Sequence, residues 1–194
     1  MLDFLVGIFV FITGLSVGSF ANVCIYRLPR DMSIIRPRSF CLSCQTPIEP
    51  WYNIPLLSFI FLCGKCAYCG AKISWRYPLI ELLSGLLFLS AFYYFYLSSS
   101  NIYMFIVGLY LSSVFLIIFF IDLDFKIIPD SLSLSGIIIG VAVSFLPATP
   151  LRWYDSLIGL FAGGLLFLAV AELGDRLFKK ESMGGGDIKL AAML

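Results

Sequence analysis

Two residue types in this sequence are placed where they could do chemistry: cysteines in close pairs, and aspartates at the ends of apolar stretches. The pairs are Cys41-Leu-Ser-Cys44 and Cys66-Ala-Tyr-Cys69, with 21 residues between them. This is zinc-ribbon spacing, because each pair supplies two neighbouring corners of a tetrahedron and two pairs close it, with sulfurs about 2.3 Å from the metal. Gly70, directly after Cys69, suits the tight turn such a pair needs. A site closed by four thiolates has no open position for substrate. The zinc expected at Cys41, Cys44, Cys66 and Cys69 is therefore structural, folding a loop with little other core. Disulfides or idle thiols are the other reading, and a loop on the reducing side of a membrane argues against disulfides. Two cysteines are left over. Cys24 lies in an apolar stretch and is expected to pack rather than react, while Cys63, three residues before Cys66, is near enough to compete as a ligand.

Among the carboxylates, Asp122 directly follows Phe115-Leu-Ile-Ile-Phe-Phe-Ile121, where a span would reach the headgroups. An ionisable group there is costly to keep and is a candidate for function; the plainer reading is a solvated helix end. Asp124 is expected in solvent. Asp130, between Pro129 and Ser131-Leu-Ser-Leu-Ser, is expected to cap a helix N-terminus. The second candidate is Asp187 in Met183-Gly-Gly-Gly-Asp-Ile-Lys-Leu190, where three glycines permit close approaches barred to other residues. A flexible hinge with a helix-starting aspartate would explain that motif as well. Together the two aspartates have a specific use. Paired carboxylates share one proton, so that the acid polarises a peptide carbonyl while the carboxylate takes a proton from the attacking water. The chain has no histidine, which removes the Ser-His-Asp triad and the histidine-based metalloprotease motifs.

The elements that must position these groups are membrane helices. The sequence is 60% hydrophobic and 13% charged, with mean hydropathy +0.98, a composition that excludes an ordinary soluble domain. Uncharged stretches run from Phe4 to Tyr26, Leu82 to Ile121, Ser131 to Leu151 and Ser156 to Ala171. A helical span takes ~20 apolar residues, so the stretch from Leu82 to Ile121 must be two helices, broken at Ser98-Ser-Ser-Asn101. The stretch from Ser156 is short and borrows Glu172 to Gly174. The expected fold is an all-α polytopic membrane protein with five complete spans and a sixth beginning near Leu190, the last one cut short. Asp3 is the only early charge, so the first stretch is a retained helix rather than a cleaved signal.

Charge sets the orientation. Arg27, Arg30, Arg36, Arg38, Lys65, Lys72 and Arg76 face only Asp31 and Glu49 in the long loop, which the positive-inside rule makes cytoplasmic. Following the chain, the Ser98 to Asn101 turn and the turn with Arg152 fall outside. Asp122 to Asp130 and the segment with Arg176, Lys179, Lys180 and Lys189 fall inside, so Asp122 and Asp187 share one face. Within the long loop, Ile54-Pro-Leu-Leu-Ser-Phe-Ile-Phe-Leu62 is too short to cross and is expected at the interface, with Trp51 and Tyr52 at its entry. A net charge of +1 and no basic-aromatic patch give no sign of nucleic acid.

The motifs resemble those of the type IV prepilin peptidase family, membrane aspartic peptidases with a Gly-X-Gly-Asp motif. The resemblance runs over nearly the whole chain: Gly18-Ser-Phe-Ala-Asn-Val-Cys-Ile-Tyr-Arg-Leu-Pro29, the paired cysteines, Ile73-Ser-Trp-Arg-Tyr-Pro-Leu-Ile-Glu81, Ile121-Asp-Leu-Asp-Phe-Lys-Ile-Ile-Pro-Asp130 and Gly184-Gly-Gly-Asp-Ile-Lys-Leu190. It implies catalytic roles for Asp122 and Asp187, and none for Asp124 and Asp130. It also implies cleavage after the glycine that ends a basic leader on pilin or pseudopilin precursors. S-adenosylmethionine-dependent N-methylation of the new amino terminus is implied too, at the cytoplasmic face of the inner membrane. The domains expected are a first transmembrane helix (1–26), a cytoplasmic cysteine-rich zinc loop (27–78) and a transmembrane peptidase domain (79–194). Family members usually continue past the second aspartate with further helices, whereas this chain stops at Leu194, so either the chain is cut and its last helix lacks a remainder or this member is short. Two other functions are weighed. An ion-coupled transporter would place its acids near the bilayer midplane and often shows inverted repeats; a non-enzymatic zinc-ribbon membrane anchor leaves the aspartates unexplained.

Overall fold

The computed structural model describes residues 1–146, 152–180 and 183–193. Among them the chain is helical, as the apolar stretches predict: α1 (Leu2–Arg27), α2 (Leu57–Phe61), α3 (Arg76–Ala91), α4 (Ile102–Phe125), α5 (Asp130–Ser144), α6 (Trp153–Phe178) and α7 (Gly185–Met193). Four helical stretches are long and apolar enough to cross a membrane: Leu2–Arg30, Arg76–Ser98, Ile102–Phe125 and Trp153–Phe178. The break expected at Ser98 to Asn101 is where α3, continued by a π-helical segment to Ser98, gives way to α4. α5 is apolar but has 15 residues, about 22 Å of helix. Part of the stretch expected to complete that span, residues 147–151, lies outside the described residues.

Three helix ends differ from the expected ones, each for a chemical reason. α3 starts at Arg76, six positions before Leu82, because its two charges are provided for. The Arg76 guanidinium donates to the Phe120 carbonyl at 3.2 Å and lies 5.2 Å from the Phe120 ring, and the Glu81 carboxylate accepts from the Leu56 amide at 2.8 Å. α6 runs to Phe178 rather than stopping near Gly174; Glu172 and Arg176, one turn apart at 3.5 Å, continue it outside the apolar stretch. α7 starts at Gly185, not near Leu190, since an aspartate in the first turn favours a helix N-terminus.

The chain forms two compact units, Met1–Phe120 and Ile121–Leu194. In the first, α1 and α3 pack with backbones nearly touching. A Cβ on Gly18 would stand 2.7 Å from the Glu81 Cα, and one on Gly14 2.8 Å from the Gly85 Cα. Small residues four apart are how membrane helices reach this closeness, where dispersion contacts replace the hydrophobic drive. Val10, Phe88 and Phe92 form the adjoining core, with Phe105 against it. Large apolar side chains such as Phe4, Phe9 and Leu86 point outward, as a lipid-facing surface requires. In the second unit α7 packs on α5 and α6. A Cβ on Gly163 would lie 2.5 Å from the Ala191 carbonyl oxygen, and one on Gly136 would overlap the Met193 side chain.

Candidate active site and metal centre

Each cysteine pair sits in a tight hairpin. The Cys41 amide donates to the Thr46 carbonyl at 3.0 Å and the Cys66 amide to the Ala71 carbonyl at 2.8 Å, while the amides of Gln45 and Gly70 return to the carbonyls of Cys41 and Cys66. Isolated bridges Phe40–Pro47 and Lys65–Lys72 clamp the two hairpins alike. The residue after the second cysteine turns left-handed in both, at φ 58° for Gln45 and 71° for Gly70. Gly70 accepts that torsion freely; Gln45 does so with its side chain on the Leu42 carbonyl.

These hairpins bring Cys41, Cys44, Cys66 and Cys69 together with all four sulfurs within 4.8 Å of one another. The Cys41 and Cys69 sulfurs are 3.9 Å apart, against about 3.8 Å for the edge of a tetrahedron with zinc–sulfur bonds of about 2.3 Å. All six cysteines are free thiols. Cys63 is exposed and outside the cluster, and Cys24 is buried in α1, as its packing role predicts. Protons are unevenly held in the cluster. Hydrogen bonding to Thr46 draws the Cys44 thiol down to about 6, and the backbone amides of Cys69 and Tyr68 lower Cys66. The Ala71 amide pulls Cys69 the same way, but desolvation and the sulfurs around it push that thiol up to about 11. Four sulfurs this close cannot all carry charge without a cation among them, and a divalent ion removes that conflict. The donor set and spacing fit a metal ion, held by Cys41, Cys44, Cys66 and Cys69.

Asp122 lies in the last turn of α4, with its side chain half exposed and its carboxylate 3.7 Å from Lys126 Nζ. α4 ends there without a glycine: Lys126 takes φ 56° and its amide closes on the Asp122 carbonyl at 3.0 Å. Asp124 is exposed. Asp187 is the third residue of α7, exposed, with its amide on the Gly184 carbonyl at 3.1 Å.

The segments bearing the two aspartates meet. A Cβ on Gly186 would stand 2.9 Å from the Ile128 Cβ, so the glycine run presses backbone-first onto the loop between Asp122 and Asp130. Lys189 of α7 reaches Asp130 at 2.6 Å. That contact corrects the reading of Asp130 as an N-cap: Pro129 occupies the cap position, Asp130 is the first helical residue, and no side chain caps the helix. Its carboxylate serves Lys189 instead. Asp122 and Asp187 make no hydrogen bond to each other; what meets is their supporting segments. Sequence reasoning missed Lys126 and Lys189. Lys126 stands four positions after Asp122, a spacing that signals a helical ion pair, but nothing in the sequence links Lys189 to Asp130.

Residues 12–95 match the family described as Bacterial Peptidase A24 N-terminal domain, and residues 109–194 match the Type IV leader peptidase family. The prepilin leader peptidase/N-methyltransferase of Klebsiella pneumoniae is 39% identical over 98% of this chain and 84% of its own length. The chain belongs to the type IV leader peptidase family. A second leader peptidase/N-methyltransferase, from Neisseria gonorrhoeae, is 35% identical over 94% of the chain and 71% of its own length. That of Myxococcus xanthus is 42% identical over 98% of the chain, which spans 55% of the length of that relative. No solved structure matches this leader peptidase family chain significantly.

Proposed function

We propose that this chain is an aspartic endopeptidase that removes leader peptides from type IV prepilins and pseudopilins, with Asp122 and Asp187 as its catalytic dyad. The observation that carries the reading is the backbone contact of Gly186 with Ile128, which ties the Asp187 segment to the Asp122 segment. One carboxyl of the pair is protonated and donates a hydrogen bond to the scissile carbonyl oxygen. The other, ionised, accepts a proton from water as the oxygen attacks the carbonyl carbon, and the proton reaches the leaving amine as the carbon–nitrogen bond breaks. No covalent intermediate forms. Solvent-open carboxylates without a hydrogen bond to each other suit a site that tightens when the peptide enters, since catalytic hydrogen bonds are often long before substrate binds.

Cleavage after the glycine at the end of a basic leader, on the cytoplasmic face of the inner membrane, is the specific form of this reading. The names of the relatives support a second activity, methylation of the exposed amino terminus with S-adenosylmethionine as donor. The four-cysteine site holds zinc in this reading, and the ion supplies the cross-link that fixes the two hairpins; the chain's own residues do the cutting. Mass spectrometry of a prepilin incubated with the protein in detergent tests both halves. Leader loss is expected from the wild type and not from Asp122→Asn or Asp187→Asn, while methylation of a pre-cut pilin survives both changes. Leader loss from either variant at the wild-type rate would reject the dyad.

A further inference from the structure

Arg27 closes α1 and is 3% exposed. Its guanidinium donates to the Ser33 carbonyl at 2.8 Å and the Arg38 carbonyl at 3.3 Å, and lies 6.0 Å from the Phe40 ring. None of these partners carries a full negative charge. The C-terminal end of α1 contributes about half a charge, and no carboxylate pairs with Arg27 among the described residues. A cation buried this far is expensive unless a counter-charge completes its surroundings. There is room for one. Arg27 lines a cavity of about 290 Å³ in which Arg38, Ser39 and Asn53 stand beside apolar Phe20 and Val23.

We propose that this cavity binds the anionic group of a small molecule: a carboxylate or phosphate held by Arg27 and Arg38, with the adjoining part of the molecule against Phe20 and Val23. The arginine fork matches both oxyanions in geometry. Two sources present that chemistry. One is the phosphate of a phospholipid, available where α1 reaches the membrane surface. The other is the methionine carboxylate of the methyl donor, and this source alone rests on the methyl-transfer reading above.

The test uses the full chain in phosphatidylcholine nanodiscs, as wild type and as Arg38→Gln. Arg38 is the better probe because Arg27 takes only its backbone carbonyl, so the loop keeps that hydrogen bond when the side chain changes. Titration calorimetry measures S-adenosylmethionine binding, native mass spectrometry measures retained phosphatidylglycerol, and metal content checks the fold. Arg38→Gln is expected to weaken one of the two ligands by about tenfold or more, the loss of a charge-assisted hydrogen bond, with metal content kept. Wild-type affinity for both ligands in the variant, or no saturable binding of either to the wild type, overturns the site. Loss of metal together with binding also overturns it, because Arg38 would then be a loop-folding residue. Arg38-dependent lipid binding by a chain that never methylates a pilin keeps the anion site and removes methyl transfer. Methylation with unchanged donor and lipid binding in the variant does the reverse.

Discussion

At the scale of single residues, the aspartates in this chain divide by partner. Asp130 and Lys189 form a direct pair across 2.6 Å, 41–58% exposed, and exposed pairs contribute ~0.2–1 kcal/mol. Asp130→Asn and Lys189→Gln should each lose about that much stability and keep substantial cleavage. The double variant should lose little more than either single one. Thermal melts and initial rates of the four proteins check this, and strictly additive losses would mean the pair does not interact. Asp122 and Asp187 were legible as candidates because each stands at the edge of an apolar segment, beside sequence with its own signature. The partner of Asp130 was not legible. A helix-start position explains an aspartate without any distant lysine, and no local rule reports a contact 59 positions away.

At the scale of elements, two local structures carry the account. α7 meets the loop after α4 through Gly186, where a methyl group would press on Ile128, while a Cβ on Gly185 would meet nothing within 4 Å. Gly186→Ala should therefore cost about 1–3 kcal/mol by overpacking and depress cleavage. Gly185→Ala should stay within about 0.5 kcal/mol. Equal effects of the two changes on rate and melting would contradict the packing. The cysteine hairpins yield the second prediction. Elemental analysis should find about one zinc per chain, reduced in Cys41→Ser and unchanged in Cys24→Ser and Cys63→Ser. The clustering of Cys41, Cys44, Cys66 and Cys69 was readable from spacing, and so was the break between α3 and α4. Helix ends were less so, because a count of uncharged residues stops at Glu81 and Glu172, whose charges find partners and let the helix continue. Nor did the sequence show where α4 stops: Lys126 takes the left-handed torsion usually left to glycine.

For the whole molecule, we propose from the positive charge of the loops a topology with the amino terminus outside and the long basic loop and both aspartate segments inside. Single cysteines introduced into a background that lacks Cys24 and Cys63 but keeps the four clustered cysteines test it. An impermeant thiol reagent added outside should label Asn101→Cys and leave Lys180→Cys untouched; the opposite pattern would overturn the helix count. The central claim, that a dyad of Asp122 and Asp187 cuts the leader, is tested most directly by the rate of prepilin cleavage by Asp187→Ala. The protein should be in detergent, with its melting temperature shown to match the wild type. A lone carboxylate cannot act as acid and base at once, so this protein should release no mature pilin above the uncatalysed background. Cleavage at the wild-type rate by the folded Asp187→Ala protein would contradict the aspartic mechanism.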